Sequence, residues 1–316
     1  MNNTKEMRTV YAETLCHLAE TDNRIVLLEA DLMRASGTQT FKAQFPNRTF
    51  NIGVAEANMV GIAAGLSTTG KIPFANTFAS FASRRTFDQF FISANYARLN
   101  VKLVGTDPGV TAELNGGTHM AFEDLGLMRI IPNLVVFEPC DTISLRELVK
   151  CSAVHKGCTY MRLHRKTTEN IYDESDTFEL GKGKVLRTGQ DVALMATGAV
   201  MVKEAIKAAD ILAAEDISAS VVDMHTIKPI DRDLVLHLAK ENGAIVTCEN
   251  HQITNGLGSA VAEVLVESMP TPMVRIGVKE LFGEVGSLDY LMKRFELTAE
   301  TIYKQAKFVI NRKKGK

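Results

Sequence analysis

The alternation of short apolar runs with segments of helix length is the feature of this sequence that most restricts its fold. Residues 24–31 form an apolar run that ends in a carboxylate, and residues 101–105 and 159–163 are similar runs with helix-length segments between them. Runs that are apolar without alternation are typical of parallel strands buried on both faces. The pattern therefore predicts an α/β protein in which mainly parallel sheets are flanked by helices.

The same pattern occurs twice along the 316 residues, a length that favours two domains of ordinary size. A turn-rich stretch with many Gly, Asn, Asp and Ser residues separates the two occurrences. We predict a first domain over residues 1–170, a linker over 171–189 and a second, smaller domain over 190–316. The first 20 residues predict an amphipathic helix that opens the first domain.

Composition argues against several classes of function. The formal net charge is −1, so no overall field attracts the chain to nucleic acid or to a membrane surface. The five cysteines lack the paired spacing of a zinc site or a CxxC redox motif. No apolar stretch reaches the roughly 18 residues that span a bilayer. We expect a soluble cytoplasmic protein.

The segment around Glu56 is the most informative motif. Glu56 begins a helix-like run in which Ala57, Gly61 and Gly65 recur every four residues. That spacing gives the helix one face almost without side chains, where another backbone can approach closely, as at a tight subunit interface. A glutamate at a helix start is commonly only a partner of the helix dipole. Beside a bare face, however, a carboxyl group kept away from water can share a proton and do acid–base chemistry.

Phe78 and Phe81 lie three residues apart and would share one face of a helix. Two such phenylalanines are more often part of a core than a platform for a ligand. The residues between them are small, however, which leaves room beside the rings for a flat ligand.

Two glycine-containing turns follow the apolar run that ends at Gly105, at the position where parallel sheets bind ligands. His119 lies in this loop, and a loop dense in Gly, Asn and Thr favours an active-site role at least as much as a core position. Arg162 and Arg165 lie at the end of another predicted strand, where either could hold an anionic group of a substrate.

Taken together, and in order over nearly the whole chain, these segments resemble the C-terminal half of transketolases. That half consists of a pyrimidine-binding domain and a C-terminal domain, and the resemblance implies thiamine diphosphate as the cofactor. Glu56 matches the glutamate that shares a proton with N1′ of the aminopyrimidine ring, so it is the expected catalytic acid–base group. Phe78 and Phe81 match the aromatic residues that stack on that ring.

The same resemblance assigns further residues to the substrate. His119 matches the histidine that faces the donor sugar, with an expected catalytic role. Arg165 matches an arginine that holds the substrate phosphate, and Arg8 matches another in the first helix. Asp31 and Ser36 fall in the loop that reaches cofactor and substrate in this family, Ser36 with a shift of one residue.

Departures from the family pattern concern the donor. Residues 114–119 stand where transketolases carry Glu-Asp-Gly-Pro-Thr-His, so the aspartate that contacts a donor hydroxyl becomes Asn115. The phosphate-side histidine of the family aligns near Thr106, so a cationic partner is missing there. The third aromatic residue of the pyrimidine site is replaced by Arg84. The replacement by Arg84 alters that side of the pocket, and the differences at Asn115 and Thr106 predict a donor other than xylulose 5-phosphate, such as a branched, modified or differently charged ketose.

Full-length transketolases bind the diphosphate through Mg²⁺ on a Gly-Asp-Gly motif, and this sequence contains no Gly-Asp-Gly. The resemblance therefore implies that the metal ligands and the diphosphate site come from another polypeptide, and no metal ligand is assigned to this chain. We expect an N-terminal, diphosphate-binding subunit as the partner, in an α2β2 heterotetramer that acts on sugar phosphates.

Three alternatives remain open. The β subunit of a 2-oxo acid dehydrogenase has the same two domains and the same glutamate, and a fragment of 1-deoxyxylulose-5-phosphate synthase is a second enzymatic alternative. A non-catalytic scaffold subunit, which keeps the fold but has lost the chemistry, belongs to a different class. The presence of Glu56, Phe78, Phe81 and His119 together argues against the scaffold.

Overall fold

The chain contains two sheets, each flanked by helices, in a computed structural model that describes residues 5–315. The predicted fold class is therefore confirmed. Among the described residues, none of the helices combines the length and the apolar character needed to cross a bilayer.

Twelve strands lie in the described residues. In chain order they are β1 (Ile25–Glu29), β2 (Thr49–Asn51), β3 (Ile72–Phe78), β4 (Lys102–Thr106), β5 (Val135–Phe137), β6 (Thr159–Leu163), β7 (Lys184–Arg187), β8 (Val192–Ala196), β9 (Ala219–Asp223), β10 (Thr226–Lys228), β11 (Ile245–Gln252) and β12 (Met273–Val278).

The helices of the described residues are mostly amphipathic segments between these strands. In chain order they are α1 (Met7–Thr21), α2 (Met33–Ser36), α3 (Gln39–Gln44), α4 (Glu56–Thr68), α5 (Ala79–Arg84), α6 (Phe87–Gln89), α7 (Asp124–Arg129), α8 (Thr142–Val154), α9 (Gly198–Ala213), α10 (Arg232–Asn242), α11 (Leu257–Ser268), α12 (Leu288–Arg294) and α13 (Ala299–Lys313). A π-helical turn at Phe90–Tyr96 and 3-10 turns at Pro46–Arg48 and Gly109–Asn115 complete the set.

The first sheet has the strand order β10-β5-β6-β4-β3-β1-β2, and all of its pairs are parallel except β10 with β5. Successive residues of β1 show why its apolar run is unbroken. Ile25 and Leu27 enter the core on one face of the sheet, whereas Val26 and Leu28 enter a separate core on the other face. A strand buried on both faces has no position for a polar side chain along its middle.

The second sheet has the order β12-β11-β8-β9-β7, with β7 antiparallel at its edge. The stretch 171–189, predicted as a linker, thus contains a strand of the second sheet. A chain segment that follows β9 returns as β10 to the first sheet, so the two halves share a sheet edge.

Asn250, in β11 of the second sheet, also joins the two halves. Its side-chain oxygen accepts from the backbone N–H of Val110 at 2.9 Å, and its amide donates to the carbonyl of Pro108 at 2.9 Å. These bonds fix the loop after β4, which carries several of the predicted site residues.

The helix predicted in the first 20 residues begins at Met7 in the structure, and residues 1–4 of that prediction lie outside the described residues. Its buried side includes Met7, Tyr11 and Leu15. Its backbone at Met7 and Arg8 donates to the carbonyls of the residues after β6, which brings Arg8 to the edge of the first sheet.

Candidate functional site

The predicted site residues gather at one edge of the first sheet, where its parallel strands end. Asp31 follows β1, Glu56 follows β2, Phe78 ends β3, and Arg165 follows β6. Because the carboxyl ends of parallel strands meet at one edge, residues far apart in sequence become neighbours there.

Glu56 is the first residue of α4 and is only 4% exposed. The guanidinium of Arg85 lies over it, with Nη1 donating to Oε1 at 2.8 Å. The helix N-terminus adds a partial positive charge beside the same carboxylate. A ligand that displaces Arg85 would therefore meet a carboxylate that is shielded from water.

The two phenylalanines form a cluster with His119. The ring centroids of Phe78 and Phe81 are 5.9 Å apart, and the imidazole of His119 lies 5.6 Å from the first and 5.1 Å from the second. All three rings are partly exposed. The guanidinium carbon of Arg85 lies 3.9 Å from the centroid of Phe81, so one arginine touches both the buried carboxylate and the aromatic surface.

Arg84 holds the loop that carries His119. Its Nη2 donates to the carbonyl of Thr118 at 2.8 Å, and its Nε lies 3.2 Å from a carboxylate oxygen of Glu123. The side chain that replaces the third aromatic residue therefore acts on the histidine loop instead of covering a ring.

A close backbone contact explains one departure from the family motif. A Cβ atom at Gly117 would lie 2.1 Å from the carbonyl oxygen of Gly283, in the second half of the chain. Any side chain, including a proline ring, would force the two loops apart. Asn115, two residues earlier in the same loop, is exposed to solvent.

Arg8 and Arg165 converge on one point. Each donates from Nη1 to the carbonyl of Ala35 at 3.2 Å. Arg165 also donates from Nε to Asp107 Oδ1 at 2.6 Å, and its guanidinium lies 5.3 Å from the Phe78 ring centroid. Burial raises the pKa of the Asp107 carboxyl, and Arg165 acts in the opposite direction. Two guanidinium groups next to the aromatic cluster can hold the anionic end of a substrate.

Arg162 does not belong to this group, although the sequence left it open as an anion-binding residue. It is 0% exposed and forms ion pairs with Asp124 at 2.8 Å and Glu138 at 3.0 Å. Its Nη2 donates to the carbonyl of Asn250 at 2.9 Å. Arg162 therefore ties the two halves together inside the protein.

Asp31 and Ser36 lie in the predicted loop but face different ways. Asp31 is exposed at the edge and accepts from the Asn51 side chain at 3.0 Å. Ser36 is 1% exposed, and its hydroxyl donates to Glu29 Oε1 at 2.7 Å. Substrate contact by Ser36 therefore requires a change in this loop.

Three residues of the site were missed by the sequence reasoning: Arg85, Asp107 and Glu29. Arg85 follows Arg84, and Asp107 follows the apolar run that ends at Gly105, but no sequence periodicity shows which charged side chains point toward a site. Glu29 had a usable signal, because it is a carboxylate within an otherwise apolar run. Burial raises the pKa of Glu29 to about 7, while hydrogen bonds from Thr38 and Ser36 act in the opposite direction.

This arrangement fits the aminopyrimidine of thiamine diphosphate. A flat ring can pack on the phenylalanines, and a buried carboxyl group nearby can share a proton with a ring nitrogen. Within residues 5–315, no group of three or more His, Cys, Asp or Glu side chains is arranged to hold a metal ion.

Comparison with known families gives two matches along the chain. The family model described as transketolase, pyrimidine binding domain matches residues 3–170, and that of the transketolase C-terminal domain matches residues 181–302.

Individual relatives match nearly the whole chain. It is 50% identical to the 6-deoxy-6-sulfo-D-fructose transketolase subunit SqwH of a Clostridium species, over 97% of this chain and 95% of that protein. It is 44% identical to a putative transketolase C-terminal section of Methanocaldococcus jannaschii, over 95% of each. A solved structure described as "Split gene transketolase, inactive beta4 tetramer" has a TM-score of 0.91 and 43% identity, covering 97% of this chain and 99% of that one.

A relative named as one of the alternative enzymes is less similar in sequence than these proteins. The 1-deoxy-D-xylulose-5-phosphate synthase of Heliobacterium modesticaldum is 34% identical, and the alignment covers 46% of its length.

Proposed function

This chain belongs to the transketolase family, and from that premise we propose a specific role for it. It is the C-terminal, pyrimidine-binding subunit of a two-chain transferase that moves a two-carbon ketol unit from a ketose donor to an aldose phosphate. The observation that carries the proposal is the buried Glu56 carboxylate, which Arg85 links to the ring cluster of Phe78, Phe81 and His119.

Each side chain of the site has a task in this reaction. Transketolases generally use thiamine diphosphate, which supplies the nucleophilic carbon and the electron sink when bound. Glu56 holds a proton at N1′ of the aminopyrimidine, and Phe78 and Phe81 orient its ring. His119 stands on the donor side of these rings and can exchange a proton with a sugar hydroxyl.

Other residues of the edge hold the substrate. Arg8 and Arg165 bind the anionic end of the donor, and Asn115 meets a donor hydroxyl from its exposed loop. Asp31 contacts the cofactor at this edge of the sheet, and the loop that contains Ser36 lies beside the substrate.

The partner is an N-terminal subunit that brings the diphosphate site and the ligands of Mg²⁺, in an α2β2 assembly. The absence of Gly-Asp-Gly from the sequence supports this requirement. The bare face of α4 is a suitable contact surface, because a Cβ atom placed at Gly61 or Gly65 would meet no atom of residues 5–315 within 4 Å apart from the backbone of its own helix. The similar solved protein is an inactive tetramer of beta chains, which agrees with a need for a second kind of chain.

The donor we propose is 6-deoxy-6-sulfo-D-fructose or a closely related modified ketose. The relative at 50% identity carries that substrate in its name. Asn115 in place of the family aspartate agrees with a donor other than xylulose 5-phosphate.

The test is ketol transfer by the chain reconstituted with a partner that contains Gly-Asp-Gly, supplied with thiamine diphosphate and Mg²⁺. A donor panel would include 6-deoxy-6-sulfo-D-fructose, fructose 6-phosphate and xylulose 5-phosphate, with glyceraldehyde 3-phosphate as the acceptor. We expect Glu56→Gln to lower kcat by more than about a hundredfold, because an amide cannot exchange the proton. Glu241→Gln, an exposed site in the second half, is the matched control.

Each contrary result has a definite meaning. Full-rate transfer by the Glu56→Gln complex at saturating cofactor would remove Glu56 from the chemistry. A clear preference for xylulose 5-phosphate would contradict the modified donor. Decarboxylation of pyruvate, or its condensation with glyceraldehyde 3-phosphate, in place of ketol transfer would favour the alternative enzymes.

A further inference from the structure

A small cavity lined by three cationic side chains and one carboxylate lies beside the proposed donor site. It has a volume of about 400 Å³ and is lined by Glu6, Arg8, Arg165, Lys166 and Thr167. Three cations in one cavity indicate an anionic ligand. How many negative charges the cavity favours on that ligand depends on how far nearby carboxylates already neutralise the three cations.

The first of these cations is paired within the protein. Arg165 forms an ion pair with Asp107 through two nitrogens: Nε donates to Oδ1 at 2.6 Å, and Nη2 contacts Oδ2. Asp107 is only 2% exposed, so solvent screens this pair very little. One unit of the positive charge at this edge is therefore compensated before any substrate arrives.

The other two cations also have carboxylate partners. Arg8 donates from Nε to Glu6 at 2.7 Å, and Lys166 donates to Glu113 at 2.6 Å. These pairs are more exposed than the Arg165–Asp107 pair, so water and ions weaken them more. Asp107 is thus the carboxylate of the three whose charge solvent screens least.

We propose that Asp107 is a specificity-determining residue that makes this cavity favour a singly charged terminal group, such as a sulfonate, over a doubly charged phosphate. The inference rests on the proposed function and names the chemical feature by which that site selects its donor. A phosphate monoester carries about −1.5 to −2 charges at neutral pH, whereas a sulfonate carries one. The Asp107 carboxylate repels the additional charge on phosphate, and each of the three cations described in the cavity already has a carboxylate partner.

The substitution that tests this inference is Asp107→Asn, because it removes the charge and preserves the shape. Asp107 has a φ of 52°, a left-handed conformation that Asn adopts as readily as Asp. The reconstituted complex would be assayed with fructose 6-phosphate and with 6-deoxy-6-sulfo-D-fructose, which differ only in their end group. Calorimetric dissociation constants for both sugars would be measured on the same complex.

We expect the sulfonate-to-phosphate ratio of kcat/KM to fall about tenfold or more in Asp107→Asn, through KM, with a parallel change in the ratio of dissociation constants. Asp107→Glu should retain most of the preference because it retains the charge. Asp289→Asn, an exposed carboxylate on α12, should leave the ratio unchanged.

An unchanged ratio in a folded Asp107→Asn complex would overturn the inference while leaving ketol transfer intact. If the wild-type complex binds both sugars with the expected preference but transfers no ketol unit, the proposed reaction fails and the binding role stands. Wild-type preference for the phosphate sugar would also overturn the inference.

Discussion

Arg85 forms an ion pair with Glu56, with 2.8 Å between Nη1 and Oε1. The guanidinium carbon of Arg85 also lies 3.9 Å from the ring centroid of Phe81. In the chain by itself, Arg85 therefore occupies both groups that we assign to the aminopyrimidine. A ligand that packs on Phe81 and bonds to Glu56 has to move this arginine. About half of the Arg85 side chain is exposed, so its displacement into solvent is feasible.

We expect Arg85→Gln to lower the dissociation constant of thiamine diphosphate for the reconstituted complex by several fold. The variant lacks a partly exposed ion pair and a cation–π contact, each worth up to about 1 kcal/mol, that compete with the cofactor. Isothermal titration calorimetry at fixed Mg²⁺ would measure the change. Arg85→Lys, which keeps the charge without the planar group, should have an intermediate effect. Weaker cofactor binding by Arg85→Gln would show that the arginine supports the bound state instead.

The bare face of α4 gives a prediction about assembly. Gly61 is exposed, and a Cβ atom there would have no neighbour within 4 Å among the described residues outside its own helix backbone. Gly61→Leu should leave the isolated chain folded, or stabilise α4 by about 1 kcal/mol, because glycine is a poor helix former. It should nevertheless prevent association with the partner subunit, because a leucine would separate two closely packed backbones.

Sedimentation of the mixed subunits would measure that association, and thermal unfolding of the single chain would measure the stability. Lys240→Leu, on the exposed side of α10 in the second half, is the control for added apolar surface. Normal assembly of Gly61→Leu would exclude this face of α4 from the interface.

Glu29 gives a prediction about pH. Burial raises the pKa of its carboxyl from the usual 4.5 to about 7, so the folded protein favours the protonated form. The protonated carboxyl of Glu29 contributes fully to stability below about pH 4.5, and this contribution is lost as the pH rises through about 7. The reason is that the unfolded chain loses this proton at a lower pH than the folded chain does.

We therefore expect Glu29→Gln to gain stability relative to the wild-type chain as the pH rises from 4.5 to 8. The gain should be on the order of 3 kcal/mol and should level off above pH 7. Urea unfolding at several pH values would measure it, with Glu241→Gln as the exposed control. A difference between variant and wild type that stays constant with pH would mean that folding does not raise the pKa of Glu29.

Local pattern in the sequence was enough for the strands and for part of the site. An unbroken apolar run such as residues 25–28 has one common solution, a strand buried on both faces, and the structure has it there. The position of Glu56 at a helix start also follows from local pattern, whereas Phe78, predicted to share a helix face with Phe81, is the last residue of β3. Such features depend on residues a few positions apart, which the sequence displays directly.

Long-range pairing could not be obtained in that way. Arg162 and Arg165 look alike in the sequence, yet one is fully buried between two carboxylates and the other faces the edge of the sheet. The return of β10 to the first sheet and the strand within residues 171–189 are likewise choices made by the whole fold.

By itself the sequence determined the two α/β halves, the edge where ligands bind and the family resemblance, because each depends on the order and spacing of nearby residues. Only the tertiary structure decided which charges meet. Arg85 reaches Glu56 across 29 residues of chain, and Arg165 reaches Asp107 across 58. An ion pair forms where two side chains are close in space and shielded from water, and that proximity exists only once the sheet has brought its strand ends together.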